Sequence, residues 1–181
     1  MSNKVIINEV GLRDGLQNQP RHVPVEGKLE ILGALIAAGV RSVEATSFVS
    51  PKAVPQMADA SELYGRLPLD QGVNYQALVP NEKGYERAVA SGAKTIALVL
   101  ASTEEMNVKN IGMSLERAIE VNIGVIKRAK REGIIPRSYI STAVGCPYEG
   151  DVAPEVVFDL TAQMFEAGAA DGLEDLILVL E

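Results

Sequence analysis

The sequence predicts an α/β protein assembled from parallel strand–helix units, and three observations carry that prediction. Short apolar runs alternate along the chain with longer stretches of helical period. In four places, Ala38-Gly39-Val40, Ser91-Gly92-Ala93, Glu132-Gly133-Ile134 and Ala167-Gly168-Ala169, a glycine closes a helical stretch and a strand pattern resumes within a few residues. Runs such as Ile96-Ala97-Leu98-Val99-Leu100 are apolar at every position, as strands covered on both faces require. Strand, helix, strand at this period means right-handed parallel crossovers. Two architectures satisfy the pattern: an open doubly wound sheet, or part of a (β/α)8 barrel, which in full takes about 250 residues.

Taken in order, residues 5–10 read as the first strand and 25–38 as the first helix, where Leu29, Leu32, Leu35 and Ile36 recur at helical spacing. A second strand is expected at 42–48, then a helix at 54–67 after the turn Ser50-Pro51-Lys52. A third strand at 74–79 stops at Pro80, and a helix at 82–90 stops at Gly92. The fourth strand is 95–101. Residues 114–131 form a long helix, with Ser114 as N-cap and Lys127, Arg128, Lys130 and Arg131 suited to its C-terminal dipole. The fifth strand is expected at 138–144, the next helix at 154–167 with proline in its first turn, and a sixth strand at 175–180. That makes six strands and five helices in one domain spanning 1–181.

Composition excludes several functions. The 181 residues are 47% apolar and 23% charged, which is globular rather than disordered. A net charge of −7 leaves no basic stripe for nucleic acid. No stretch approaches the ~20 apolar residues of a membrane span, and no leader peptide is visible, so a cytoplasmic protein is expected. Cys146 is alone, so no internal disulfide is possible. The patterns His-x-His, His-Glu-x-x-His and Cys-x-x-Cys are missing, as are Gly-x-Gly-x-x-Gly and a Walker loop, which weighs against zinc and nucleotide chemistry. His22, in a polar connection, is expected to be solvated, and Cys146 to be a packing residue.

Chemistry is expected at the C-terminal ends of the strands. In Glu9-Val10-Gly11-Leu12-Arg13-Asp14-Gly15-Leu16-Gln17-Asn18, an arginine and an aspartate sit side by side where the first strand ends. Asp14 could hold a hard cation through oxygen, and Arg13 could stabilise a developing oxyanion. Glu44 lies inside an apolar strand, where a carboxylate must be paired, and Arg13 is its plausible partner. A buried ion pair with no chemical role is the alternative. Further polar residues at strand ends include Gln17, Thr46, Ser47, Asn81, Ser102, Thr103, Asn107, Lys109, Asn110, Ser141 and Thr142.

Three stretches resemble the hydroxymethylglutaryl-CoA lyase family: the Glu9–Asn18 segment just quoted, Glu44-Ala45-Thr46-Ser47-Phe48-Val49-Ser50-Pro51-Lys52-Ala53-Val54-Pro55-Gln56-Met57, and Gly145-Cys146-Pro147-Tyr148-Glu149-Gly150. Arg-Asp-Gly alone would suit the wider metallolyase superfamily; the other two are more specific to the lyase. The resemblance implies a TIM barrel, incomplete in this chain. It also implies cleavage of 3-hydroxy-3-methylglutaryl-CoA to acetyl-CoA and acetoacetate with Mg²⁺ or Mn²⁺, as in leucine catabolism and ketone-body formation. By resemblance Asp14 is a metal ligand and Arg13 and Glu44 are the catalytic pair: Arg13 stabilises the enolate oxygen of the departing acetyl-CoA, and Glu44 orients Arg13 and the metal shell. Gln17, Ser47, Lys109 and Asn110 are candidates for substrate or CoA contacts.

The last stretch departs from the family. Ala170-Asp171-Gly172-Leu173-Glu174-Asp175-Leu176-Ile177-Leu178-Val179-Leu180-Glu181 does not match its Gly-Asp-Thr ending. The later His-x-His pair, cysteine loop and asparagine ligand of the family do not follow, so Asp14 alone remains of the usual metal ligands. The competing expectation is therefore a catalytically inactive half-barrel that self-associates through exposed barrel edges as a homo-oligomer. Neither reading calls for nucleic acid or membrane as a partner.

Overall fold

The computed structural model describes residues 7–169. The chain divides into two compact units, Met1–Val79 with Lys83–Ile96, and Pro80–Glu82 with Ala97–Glu181. Among the described residues the architecture is a four-stranded parallel sheet with helices, in strand order β1-β2-β3-β4. The strands are β1 (Ser42–Ser47), β2 (Asn74–Leu78), β3 (Thr95–Ala101) and β4 (Ile135–Ser141). No closed barrel is present among these residues.

In the first unit the described part of the expected opening strand makes a parallel bridge, Glu9 to Val43; Val5 and Ile6 lie outside the described residues. The chain then winds into one π-helical turn, Gly11–Gly15. Helix α1 (Val25–Ala37) packs against this turn and against α2 (Ala60–Gly65). Its buried face is Val25, Lys28 and Leu32, a spacing of three and four residues that places them on one side. The helix expected over 54–67 is broken: Pro55–Met57 is a 3-10 turn and only α2 is α-helical. Pro55 suits the first position of the 3-10 turn, and the break comes at Ala58 and Asp59, which form a turn ahead of α2.

Strand β1 is buried at every position and pairs in parallel with β2, with Glu44 opposite Gln76. The register slips between Glu44 and Thr46, a bulge at Ala45. Phe48, Leu63, Tyr64, Tyr75 and Ala77 fill the core between sheet and helices. Each large side chain so buried contributes about 1.5–3 kcal/mol of transfer free energy. Helix α3 (Glu82–Ala90) follows β2 as expected, and Arg87 covers the Phe48 ring at 5.5 Å.

In the second unit two elements went unseen in the sequence. Helix α4 (Glu104–Ile111) occupies what reads as a polar loop. Asn107 builds its entry, accepting from the Ala101 N–H at 2.9 Å and donating to the Ala101 and Thr103 carbonyls at 2.8 and 2.7 Å. A two-stranded hairpin, β5 (Gly145–Cys146) with β6 (Gly150–Asp151), forms within Gly145–Gly150 and its neighbour. Helix α5 (Leu115–Arg131) is capped by the Ser114 hydroxyl, which accepts from Arg117 N–H at 3.2 Å.

Strand β4 starts three residues before the expected position and ends at Ser141. Gly133 turns the chain at φ +72, so extended backbone begins at once, and Pro136 is tolerated because β4 is last in the strand order. Thr142, at φ 56, ends it. Helix α6 (Pro154–Ala167) has the expected bounds and packs on α5 and β4. Gly168, at φ +99, closes it against the Lys130 side chain. The sixth expected strand, 175–180, lies outside the described residues.

Candidate functional site

The π-turn is closed by the Leu16 N–H, which reaches back five residues to the Gly11 carbonyl, while the Asp14 and Arg13 N–H groups at its start both meet the Val10 carbonyl, at 2.7 and 3.0 Å. Its first glycine is fixed by the Glu9 carboxylate, which accepts the Gly11 N–H at 2.7 Å; a Cβ at Gly11 would lie 2.8 Å from that oxygen. Leu12 drops into the core and Arg13 turns toward β1. There Arg13 Nε donates to Glu44 Oε1, and Nη1 donates to Asp14 Oδ1 at 2.5 Å.

Burial is graded along this triad: Glu44 is 0% exposed, Arg13 16% and Asp14 44%. One guanidinium therefore joins a fully buried carboxylate to one that faces solvent. A desolvated carboxylate needs charge-assisted hydrogen bonds, and a guanidinium held through Nε keeps its other nitrogens aimed outward. The expected Arg13–Glu44 pair is thus present, with Asp14 as its third member.

Beneath it lies a polar cluster that sequence reasoning passed over. Asn8 Oδ1 accepts from the Ser42 hydroxyl at 2.7 Å and from Gln76 Nε2 at 3.0 Å, and Gln76 Nε2 also donates to Ser42 Oγ at 3.0 Å. Gln76 is buried and sits opposite Glu44 in the register. The signal was available: Gln76 interrupts an apolar strand just as Glu44 does.

Gln17 follows the π-turn half-buried, and its buried Oε1 has no partner among the described residues. Ser47 is fully buried, with its hydroxyl directed at the Leu78 carbonyl 3.5 Å away. Lys109 and Asn110 belong to α4 in the second unit. Lys109 pairs with Glu105 at 3.3 Å and lies 4.6 Å above the Tyr148 ring; Asn110 is exposed. His22 is exposed, as expected, and lies 3.0 Å from Asp59 Oδ2.

Cys146 is buried in the hairpin, where its sulfur accepts from the Thr103 hydroxyl at 3.2 Å and the Tyr148 N–H at 3.4 Å. Burial pushes the thiol up, but these donors and the Glu149 N–H outweigh it and leave the thiol below its ordinary value.

Among the described residues no three of His, Cys, Asp and Glu converge as a metal site. Asp14 offers one exposed carboxylate oxygen set, and Glu44 is buried on Arg13. A hard cation takes about six oxygen ligands, so these residues amount to one vertex of a centre and not to a centre. Nor is any described helix long and apolar enough to cross a membrane.

Known proteins carry the same architecture. Mitochondrial hydroxymethylglutaryl-CoA lyase of Bos taurus is 44% identical over 165 residues, covering 91% of this chain and 51% of that protein. The crystal structure of HMG-CoA lyase from Bacillus subtilis superposes with TM-score 0.88 at 38% identity, covering 92% of this chain and 56% of that one. An Acinetobacter baumannii HMG-CoA lyase solved with coenzyme A and 3-methylmalate matches at TM-score 0.85 and 31% identity, over 90% of this chain and 53% of that one. The chain spans about half the length of the curated relatives it matches. The model of the HMGL-like family fits residues 4–171, and with a buried glutamate, a bridging arginine and an exposed aspartate in place, the chain belongs to that family.

Proposed function

We propose that this chain carries the N-terminal part of a metal-dependent carbon–carbon lyase acting on 3-hydroxy-3-methylglutaryl-CoA, releasing acetyl-CoA and acetoacetate. The observation that supports it best is the Arg13 guanidinium, fixed on buried Glu44 and presented beside exposed Asp14. Breaking a carbon–carbon bond next to a tertiary alcohol requires loss of the hydroxyl proton and a carbanion held as an enolate. Arg13 is the group for the enolate oxygen: its position is fixed before charge develops, so little reorganisation is needed as the bond breaks. Glu44 acts through Arg13 and does not meet substrate. Gln17 Oε1, buried and without a partner among the described residues, would accept from a substrate hydroxyl or amide only where binding uncovers it.

Asp14 would be one ligand of Mg²⁺ or Mn²⁺. When bound, such an ion supplies the positive charge that makes an alkoxide accessible near neutral pH. Ser47, Lys109 and Asn110 remain candidates for substrate or CoA contacts; Lys109 has the charge for a CoA phosphate. A cytoplasmic setting accords with this reading.

A second reading is favoured by the single ligand among the described residues: an inactive half-barrel that self-associates. The test is acetoacetate release from 3-hydroxy-3-methylglutaryl-CoA with added Mn²⁺, run beside light scattering. Release that EDTA abolishes, and that Arg13→Met lowers by roughly 10²–10³-fold, supports the lyase assignment. Release indifferent to Arg13→Met overturns it. No release at any Mn²⁺ concentration, from a chain that scatters as a dimer or larger, supports the second reading.

A further inference from the structure

One buried cation plays no part in the chemistry above. Lys28 sits on the inner face of α1 between Val25 and Leu32 and is 1% exposed. Its ammonium donates to the Gln56 carbonyl at 2.9 Å and to both oxygens of Asp59, at 2.6 and 2.9 Å. All three of its donors have acceptors, so it is no nucleophile. Stability alone does not account for it either, because an apolar residue of similar volume often replaces a buried ion pair at no loss.

The hydrogen bonds that leave this pair lead to the candidate site. Gln56, whose carbonyl takes the Lys28 ammonium, donates through Nε2 to the Gln19 carbonyl at 2.9 Å. Gln19 donates through Nε2 to the Gly15 carbonyl at 3.2 Å, and its N–H reaches the Leu16 carbonyl, also at 3.2 Å. Asn18 donates to the Asp14 carbonyl at 3.0 Å. Asp59, the partner of Lys28, meets His22 further along the same segment. The π-turn carrying Arg13 and Asp14 is therefore held at two ends, by the Glu9 carboxylate on Gly11 and by this strap on residues 14–22.

We infer that Lys28, Asp59 and Gln56 are positioning residues for Arg13, strapping the segment after the π-turn onto the 55–59 turn so that the guanidinium stays seated on Glu44. The inference rests on the reading of Arg13 and Asp14 as the working site. The experiment is solvent exchange of the Arg13 Nε–H in the ¹⁵N-labelled full chain, with Arg13→Lys used to assign the resonance. Gln56→Leu cuts the link to Gln19 and leaves the Lys28–Asp59 pair intact; Lys28→Met removes the anchor.

The expected result is exchange at Arg13 Nε–H faster by about tenfold in Gln56→Leu, the scale of one net hydrogen bond, and faster still in Lys28→Met. The amides of Val43 and Ala45 in β1 keep the parent rates. Unchanged Arg13 exchange in Gln56→Leu overturns the inference. So does an equal rise at Val43 and Ala45, which would mark a general structural role. If Lys28→Met does not fold, Gln56→Leu decides alone. Neither metal nor turnover is needed, so the strap and the lyase reading succeed or fail separately.

Discussion

The two units treat polar groups at their strand ends differently. The first buries charge: Glu44 and Lys28 are both inaccessible, each held by a charged partner, Arg13 and Asp59. Among the described residues of the second, neutral groups serve several strand ends. Asn107 serves the Ala101 and Thr103 backbone, Ser102 pairs with Thr142, and Thr103 donates to the Cys146 sulfur. Its buried cation, Arg137, lies over the Tyr139 ring at 5.6 Å. Neutral networks are an economical way to satisfy loop backbone. Buried ion pairs bring a desolvation cost that their mutual attraction and hydrogen bonds must offset. The contrast places the buried, charge-paired side chains in the first unit and the neutral hydrogen-bond networks just named in the second.

That contrast can be broken most directly at Glu44. Glu44→Ala leaves Arg13 without its buried carboxylate and is expected to cost about 3 kcal/mol in urea unfolding. A cost below that of Asn107→Ala would erase the distinction between the units. Asn107→Ala itself should cost about 2 kcal/mol, because three backbone hydrogen bonds vanish and the Ala101 groups are left buried.

Tyr64 sharpens the picture within the first unit. Its phenol is buried and donates to the Tyr75 carbonyl at 3.0 Å. Burial first, and the neighbouring Tyr75 second, push it well above the ordinary tyrosine value. The unfolded chain therefore gives up this proton before the folded one. Stability is held below the ordinary tyrosine pKa of about 10 and falls as pH rises beyond it. Tyr64→Phe should lower stability at neutral pH by about 1 kcal/mol and flatten that alkaline fall, leaving the smaller share owed to Tyr75. An unchanged alkaline slope in a urea series would refute the assignment.

The smallest effect belongs to the second unit. Thr103→Val removes a donor from the Cys146 sulfur and should raise the thiol, read as a shift of thiolate absorbance to higher pH. A thiol that stays where it was would mean the Tyr148 and Glu149 amides suffice.

Glu44 was legible because it is a carboxylate inside an apolar strand. A polar residue inside an apolar strand must have a reason; Gln76 met the same condition and was overlooked. Lys28 hid for a different cause. On a helix a lysine reads as a solvent-facing residue, and only the packing of α1 on α2 turns it inward. Helix α4 was missed because Ser102, Thr103, Asn107, Lys109 and Asn110 resemble loop composition, although Thr103-Glu104-Glu105 is an acidic helix start and Gly112 a proper stop. Asp14, the exposed carboxylate of the triad, was legible; Lys109 and Asn110, in the second unit, rest on polarity and resemblance, and neither carries a distance.

Local chemistry determined what the sequence could reveal by itself. Apolar runs, glycine stops and caps act over a few residues, and so do the motifs around Arg13 and Gly145. They specified the parallel α/β character, the bounds of α1, α5 and α6 within a residue or so, and the family. Tertiary structure alone decided which polar groups meet: Arg13 with Glu44 thirty-one residues away, Lys28 with Asp59 at the same separation, and Gln76 with Asn8 sixty-eight residues apart. Such pairings depend on strand register and on the rotation of a helix about its axis, and both are set by the summed packing of the core.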